Sequence, residues 1–470
     1  MTTRFLKFII VALIIQGMAR TITGCANIIP PAGGPRDTLP PVLIHALPRD
    51  SATMVASNKI VLTFNEFVEA KDISNNLVVS PLPKQSPVVD YKLNTVTIKL
   101  KDTLTPNTTY TLNFGNAIKD INEGNVAKNF SYVFSTGPKI DSGFFAGKVL
   151  LANSGKIDST LIVALYKNLD DSAVVKTLPR YYAKLDGKGN FVFHHLPVGT
   201  FNAFVMENGF DKKYNDSTKV FAFLNKPVHI SDTTGPALFY AYAQVEKKDK
   251  GKPGSATGAK TAPPKSKTEI KFKMVPQLDN GHQELIAPLE LEFTRKLKVF
   301  DTAKIILCDT LFRPLKAMAY HIDTSAQKLS IQYGWREDMP YRVIVMQDAV
   351  TDTGGAHLAK TDTLKFFTKK ESDYGSLKIR FLNIDLNKNP VLQFYQGDNL
   401  SESVVLTKNE FFRKLIKPGD YELRVLYDDN KNGKWDAGNY KLKKQPEIVQ
   451  DIPKKINVRN NWENEVSINL

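Results

Sequence analysis

The sequence predicts an all-β fold made of tandem β-sandwiches in a duplicated order. Short segments in which apolar and polar residues alternate recur along the chain, separated by turn residues about every 8–12 positions, a pattern typical of half-buried strands. The second half of the chain repeats the motifs of the first half in the same order, which indicates a duplicated pair of domains. At 470 residues the chain is also too long for one core, since domains usually span about 100–200 residues.

Composition restricts the kinds of partner. Hydrophobic residues make up 42% of the chain, as in a globular protein, and the net charge is +15 at pH 7. The positive charge is dispersed and accompanies no basic helix or aromatic-rich basic stripe. We therefore expect no nucleic acid partner, and rather an anionic surface such as lipid headgroups or polysaccharide. With only two cysteines a disulfide framework is excluded, and Cys308, in an apolar run, is predicted to be buried.

Residues 1–24 resemble a lipoprotein signal peptide. Arg4 and Lys7 precede an apolar run at 8–15, and small residues lead to Cys25, which is the order that an export signal requires. A cysteine directly after the cut accepts a diacylglyceryl thioether, so Cys25 is the predicted lipidation site and the lipid anchor is the predicted membrane contact. The alternative is a membrane-spanning helix, but the run is shorter than the about 20 apolar residues that spanning requires.

The rest of the chain divides by composition. Residues 25–41 are rich in Pro and Gly and are predicted to form a tether, because Pro lacks a backbone donor and Gly is costly to order. Residues 246–268 contain almost nothing apolar, which predicts a basic disordered linker. Four predicted sandwiches, named A, B, A′ and B′, occupy residues 42–140, 143–245, 269–370 and 374–470.

The two halves correspond segment by segment. Sandwich A corresponds to A′ and sandwich B to B′. In both B and B′ a tight turn that contains Pro and Gly joins two strands. The matching segments are 60–64 with 289–293, 130–136 with 363–368, and 196–205 with 416–425.

Sandwich A carries the motifs of a known family. These are Phe64-Asn65-Glu66, Leu104-Thr105-Pro106, Asp120 before Gly124, and Phe134-Ser135-Thr136. The pattern resembles bacterial Ig-like domains of the S-layer-protein type, and A′ matches it less well because Arg295 stands where Glu66 stands. With the signal included, the chain resembles an Ig-like-domain lipoprotein of the outer membrane. The resemblance implies an Ig-like β-sandwich, an envelope location and no enzymatic activity, because such domains serve as spacers and interaction modules.

Sandwiches B and B′ carry a shorter motif. In B a strand at 189–193 leads into Leu196-Pro197-Val198-Gly199, and in B′ Lys417-Pro418-Gly419 holds the same place. These features resemble the small prealbumin-like, carboxypeptidase-regulatory-like sandwiches that are appended to carboxypeptidases and outer-membrane receptors. The resemblance implies a second type of β-sandwich, again without an activity of its own.

The sharpest local pattern lies in B′. Asp428, Asn430, Asn432 and Asp436 fall at positions 1, 3, 5 and 9 of an EF-hand-like loop, with Gly433 at position 6. Calcium needs several oxygens from one short loop, and Gly permits the sharp turn. Position 12 lacks the bidentate Glu, and predicted strands flank the segment. Two interpretations therefore stay open: a calcium site at these four residues, or a plain Asn432-Gly433 hairpin turn.

The remaining candidates for chemistry are weaker. His194 and His195 are adjacent in a predicted strand and so point to opposite faces, which argues against a shared metal. The segment from Asp120 to Gly124 is predicted to be a solvated hairpin. No G-x-S-x-G, H-E-x-x-H, P-loop or G-x-G-x-x-G motif occurs in its required context, so we expect no catalytic residues and no enzyme.

These features predict a non-catalytic, lipid-anchored protein of the outer membrane that acts as a scaffold or protein-interaction module. An accessory subunit of an outer-membrane complex, with envelope proteins as partners, is one such role. The alternative is a lipoprotein that binds a glycan or another surface polymer. Because no cluster of acidic residues follows Cys25, the periplasmic and the external face of the membrane both stay open.

Overall fold

The computed structural model describes residues 9–11, 13–14, 36–70, 72–244 and 271–470. Cys25, most of the signal and of the tether, and the linker at 246–268 lie outside these residues. The chain forms two compact units, one of Met1–Ser142 with His195–Pro197 and one of Gly143–His194 with Val198–Leu470. In the part of the chain that the structure covers, no helix is long and apolar enough to cross a membrane.

The first unit, which contains sandwich A, is formed by two facing sheets. Its elements are β1 (Leu43–Leu47), β2 (Lys59–Phe64), β3 (Val68–Glu69), α1 (Ile73–Asn76), β4 (Val78–Ser80), β5 (Val88–Lys92), β6 (Thr95–Lys99), β7 (Thr109–Gly115), β8 (Lys119–Asp120) and β9 (Phe130–Ser135). One sheet has the order β1-β2-β6-β5, the other has the order β4-β7-β9, and β3 pairs with β8.

Strict alternation builds the core of this unit. In β2, Ile60, Leu62 and Phe64 are fully buried, while the residues between them face outward, because successive side chains leave a strand on opposite faces. Tyr132 and Phe134 of β9 contribute to the same cluster from the opposite sheet. Each such buried side chain stabilises the fold by roughly 1.5–3 kcal/mol.

Sandwich B opens the second unit. Its elements are β10 (Gly143–Leu151), β11 (Leu161–Tyr166), α2 (Ala173–Lys176), β12 (Tyr181–Lys184), β13 (Asn190–Leu196), β14 (Gly199–Glu207), β15 (Phe221–Phe223), β16 (Val228–Ile230) and β17 (Ala237–Ala241). A sheet of order β13-β10-β17 faces a sheet of order β12-β11-β14-β15, with β16 pairing with β14. Every residue of β11 is buried, so this strand is covered on both faces.

Sandwich A′ follows. Its strands are β18 (Met274–Gln277), β19 (His282–Gln283), β20 (Leu289–Phe293), β21 (Leu297–Phe300), β22 (Ile305–Cys308), β23 (Ala319–Ile322), β24 (Lys328–Gln332), β25 (Pro340–Val345), β26 (Val350–Asp352) and β27 (Asp362–Thr368), with a 3₁₀ turn at Thr302–Lys304. The sheets have the orders β18-β20-β24-β23 and β19-β27-β25-β22. Cys308 is buried, as its apolar neighbours predict.

Sandwich B′ ends the chain. Its strands are β28 (Gly375–Leu382), β29 (Pro390–Gln396), β30 (Asn399–Val405), β31 (Glu410–Ile416), β32 (Gly419–Tyr427), β33 (Ile448–Val458) and β34 (Glu463–Asn469), with 3₁₀ turns at Glu371–Asp373 and Leu386–Lys388. A sheet of order β31-β28-β34 faces a sheet of order β30-β29-β32-β33.

The predicted fold class, tandem β-sandwiches in a duplicated order, is confirmed. The order β1-β2-β6-β5 of A returns in A′ as β18-β20-β24-β23, and the order β13-β10-β17 of B returns in B′ as β31-β28-β34. The residue boundaries assigned to the four sandwiches, the tether and the linker stay predictions.

Candidate functional site

The four predicted calcium residues lie between β32 and β33, in the segment 428–447, which we name the β32–β33 loop. Tyr427 and Ile448 pair at its base. The connection is thus a long loop and not the two-residue Asn432-Gly433 hairpin of the alternative interpretation. Gly433 has a φ of 74°, the left-handed conformation for which glycine is suited.

Side-chain oxygens hold the first part of this loop together. Asp428 is 2% exposed, and its two oxygens accept hydrogen bonds from the backbone nitrogens of Asn432 at 3.2 Å and Gly433 at 2.6 Å. Asp436 Oδ2 accepts from Nδ2 of Asn432 at 2.8 Å and from Nδ2 of Asn430. The structure therefore brings the four predicted residues to one tight turn.

A third carboxylate, which the sequence pattern does not indicate, joins them. Glu447 is 3% exposed, and its Oε1 and Oε2 accept from the backbone nitrogens of Asp429 and Asp436, each at 3.0 Å. Burial, together with the charges of Asp428 and Asp436, raises the pKa of Glu447 above its ordinary value. Its distance along the chain from Asp436 fits no EF-hand spacing, so only the pairing of β32 with β33 brings it here.

The donor atoms in this loop are of the kind that a hard cation binds, because calcium prefers carboxylate and amide oxygens. The carboxylates instead accept hydrogen bonds from backbone and side-chain amides, which stabilises the loop without an ion. Within the described residues, no group of three or more His, Cys, Asp or Glu side chains is arranged to hold a metal ion. Calcium binding at Asp428, Asn430, Asn432 and Asp436 stays a prediction.

The far part of the β32–β33 loop inserts an aromatic side chain into sandwich B. Tyr440 is 8% exposed, and its ring centroid lies 5.6 Å from that of Phe204 and 5.1 Å from those of Phe221 and Phe223. The Tyr440 hydroxyl donates to the backbone oxygen of Asp171 at 3.1 Å. The buried ring and its satisfied hydroxyl make this contact a specific anchor between B and B′.

Polar contacts surround the Tyr440 ring. Lys443 pairs with the Asp171 carboxylate and also stands 4.1 Å above the centre of the Tyr440 ring. The hydrogen bond from Lys443 lowers the pKa of Asp171. Nε2 of Gln445 donates to the backbone oxygen of Phe223 at 3.1 Å and to Oδ1 of Asn225 at 2.7 Å.

The middle of the β32–β33 loop covers the outer face of a B′ sheet. Trp435 packs against a small cluster formed by Val391, Leu426 and Val449. Its indole nitrogen donates to the backbone oxygen of Glu447 at 2.8 Å. One loop therefore combines the candidate ion ligands, a cover for B′ and the anchor to B.

The other candidate residues have structural roles. Asp120, predicted to lie in a solvated hairpin, is instead 1% exposed, and it accepts hydrogen bonds from the backbone nitrogens of Glu123, Gly124 and Asn125. These bonds hold the turn in place, and Ile121, Asn122 and Gly124 within it are exposed, so the predicted solvated hairpin has one buried carboxylate at its base. His194 is exposed against the ring of Phe144, and His195 Nδ1 lies 3.3 Å from the backbone oxygen of Asp141.

Comparison with known proteins agrees with this fold. Residues 37–136 match the bacterial Ig-like domain family, in the segment whose motifs carry the resemblance noted above. No curated protein matches the chain. The first unit is therefore similar to a bacterial Ig-like domain, as its sequence motifs predict.

Several solved structures are similar to the chain at low identity. Native α2-macroglobulin from Escherichia coli, spanning domains MG0-NIE-MG1, is 12% identical over 41% of this chain and 91% of that chain, with a TM-score of 0.19. The N-terminal part of the bacterial S-layer protein SbsC is 17% identical over 37% and 42%, with a TM-score of 0.16. BcpA, the major pilin subunit of Bacillus cereus, is 11% identical over 69% and 99%, also with a TM-score of 0.16. Likenesses at these scores carry no argument about function.

Proposed function

We propose that this chain is a non-catalytic, lipid-anchored protein of the outer membrane whose tandem sandwiches serve as a scaffold for envelope proteins. The bacterial Ig-like domain at residues 37–136 carries the proposal, because such domains work as spacers and interaction modules. The signal motif ending at Cys25 supports the tether, and the lipid on this cysteine is the membrane contact. Crosslinking in intact cells, followed by purification of the tagged protein, tests the role and is expected to recover an envelope partner.

A glycan-binding lipoprotein remains the second candidate, favoured by the mixed polar and aromatic cleft described in the next subsection. The scaffold role ranks first because it draws on the domain type of the chain rather than on one site. The two roles are also compatible, since a spacer protein can carry a binding cleft on one of its domains.

We also propose that the β32–β33 loop binds calcium. If the side-chain amide groups of Asn430 and Asn432 flip by half a rotation, their oxygens point toward Asp436 in place of their NH₂ groups. Glu447 adds a carboxylate to the same part of the loop. Calcium then compensates the charge of the Glu447 carboxylate, whose pKa is raised by burial and by the charges of Asp428 and Asp436.

This proposal predicts a metal-dependent stability. Calcium at about 100 times its Kd stabilises a single-site protein by about 2.7 kcal/mol, so the melting transition of B′ is expected to rise by several degrees and to fall again with chelator. The fluorescence of Trp435, inside the loop, is expected to change in the same titration. Asp428→Ala should abolish both responses, while Asp398→Ala, an exposed carboxylate outside the loop, should keep them. Equal responses of Asp428→Ala and the parent would refute calcium binding here.

A further inference from the structure

A cleft lies where sandwiches B and B′ meet. It encloses about 710 Å³, within the range of about 300–1,000 Å³ that is usual for small-molecule sites. Lys148, Leu150 and Tyr240 line it from B. The groups that line it from B′ include Asn383, Asp385, Lys388, Tyr427 and Gln450. Residues of both sandwiches thus form a cleft that neither sandwich forms alone.

The B side of the cleft follows from strand register. Leu150 of β10 pairs with Tyr240 of β17, while their neighbours Val149 and Phe239 are buried in the core of B. Lys148, two residues before Leu150, therefore points to the same outer face. A tyrosine ring, an aliphatic side chain and an ammonium group stand side by side on this wall.

The B′ side presents a second tyrosine. Tyr427 hydroxyl lies 3.3 Å from Gln450 Oε1, and the Lys388 ammonium stands 5.8 Å from the centre of the Tyr427 ring. Asp385, 3.9 Å from Lys388, adds an acceptor at the rim. The lining therefore combines aromatic rings with hydrogen-bond donors and acceptors.

The charges of the lining are mixed. Two ammonium groups, of Lys148 and Lys388, face four carboxylates, of Asp385, Asp429, Glu447 and Asp451. Lys388 lies 3.9 Å from Asp385 and Arg424 lies 3.8 Å from Asp451, while Glu447 accepts two backbone hydrogen bonds. Among the described residues, Lys148 and the Asp429 carboxylate have no ion-pair partner, so both are available to a ligand. A lining of both signs selects neither a polyanion nor a polycation and favours an uncharged ligand that is rich in hydrogen-bonding groups.

The strand edge beside the cleft is already covered. The backbone nitrogen of Val449 in β33 donates to the backbone oxygen of Ala152 at 2.8 Å, and Gly155 approaches Asp451 so closely that an added Cβ would lie 2.6 Å from its backbone nitrogen. An extended peptide that binds by strand addition needs a free edge, which this part of β33 does not offer. Recognition must therefore come from side chains.

We infer that the cleft between B and B′ binds a short neutral oligosaccharide. The apolar face of a sugar ring stacks on Tyr240 or Tyr427, and its hydroxyl groups bond to the lysines, Asp429 and Gln450 around them. This site does not depend on the scaffold role, because a failed sugar assay leaves the capture of envelope partners unaffected.

Isothermal titration of the full mature protein with cellotetraose, maltotetraose and mannotetraose tests this site. At least one neutral tetrasaccharide should bind saturably with a micromolar to millimolar Kd. Tyr427→Ala and the exposed Lys148→Ala should each weaken binding about tenfold or more, which corresponds to about 1.4 kcal/mol. Phe412→Ala, an exposed aromatic on B′ outside the cleft, should leave the Kd unchanged.

Each other outcome overturns the inference. These outcomes are no saturable binding of any of the three sugars at millimolar concentration, binding only of trigalacturonate or of a tetralysine peptide, and unchanged binding by both cleft variants. Because Lys148 is exposed, its variant keeps the test valid even if Tyr427→Ala lowers the melting temperature.

Discussion

Tyr440→Ala is expected to separate sandwich B from sandwich B′. The substitution removes a ring that is 8% exposed and packed among Phe204, Phe221 and Phe223, together with its hydrogen bond to Asp171. Truncation of a buried aromatic side chain costs about 3–5 kcal/mol. Chemical denaturation should therefore show an earlier transition for the second unit.

Hydrogen exchange measures the separation directly. The amide of Val449, which is bonded to Ala152 across the same contact, should exchange much faster in Tyr440→Ala than in the parent. Leu442→Ala is the matched control, because Leu442 lies in the same loop but is 75% exposed and should change neither exchange nor stability. Parent-like exchange at Val449 in the Tyr440 variant would show that this ring does not hold the sandwiches together.

Glu284→Gln is expected to loosen the junction between A′ and B′. Glu284 accepts hydrogen bonds from the Tyr374 hydroxyl at 2.5 Å and from Lys369 at 2.9 Å, and Lys417 lies 3.4 Å away. Its side chain is 17% exposed and that of Lys369 20%. Removal of one partner from a mostly buried ion pair leaves the other charge poorly compensated, at an estimated cost of about 2–4 kcal/mol.

The same junction predicts a dependence of stability on pH. Burial opposes ionisation of Glu284, but hydrogen bonds from Tyr374 and Lys369 and the charge of Lys417 lower its pKa below the ordinary 4.5. A lowered pKa in the folded state stabilises the fold above the ordinary pKa, and the effect is lost as the pH falls through the folded-state pKa. The free energy of unfolding, measured from pH 7 to pH 3, should therefore fall less steeply in Glu284→Gln than in the parent.

Glu290→Gln is the control for this junction. Glu290 is 41% exposed and lies 3.9 Å from Lys328, so its loss should cost less than about 1 kcal/mol. Similar costs for the two substitutions would contradict a special role of Glu284.

Much of the fold could be predicted because its signals are local. Apolar and polar residues alternate within β2, and turns that contain Pro and Gly precede β14 and β32. Each of these patterns occupies only a few consecutive residues and predicts antiparallel strands directly. The edge strand β5 escapes such analysis, since Val88–Lys92 has no clear apolar face and gains its order from pairing with β6.

The contact between B and B′ could not be predicted in the same way. Asp171 and Tyr440 are 269 positions apart, and Tyr440 stands in a polar segment that reads as an ordinary loop. One indirect signal was present: β11 reads Leu-Ile-Val-Ala-Leu-Tyr with no polar residue, a pattern typical of strands that are covered on both faces. It predicts that a cover exists but not which segment supplies it.

Only part of the candidate ion site could be predicted, because its residues come from two separate parts of the chain. Asp428, Asn430, Asn432 and Asp436 follow a spacing that a single loop imposes, so the sequence reveals them together. Glu447 reaches the same turn only through the pairing of β32 with β33, which short-range spacing does not encode.

Capture of partners by the tethered protein tests the proposed function most directly. The tagged parent, the Cys25→Ser variant and a fusion of residues 1–41 to an unrelated folded protein are crosslinked in intact cells and purified from solubilised membranes. The parent should sediment with the outer membrane and recover the same envelope protein reproducibly, Cys25→Ser should leave the membrane fraction and lose that partner, and the fusion should sediment without it. Retention of Cys25→Ser in the membrane, or no partner specific to the parent, would contradict a tethered scaffold.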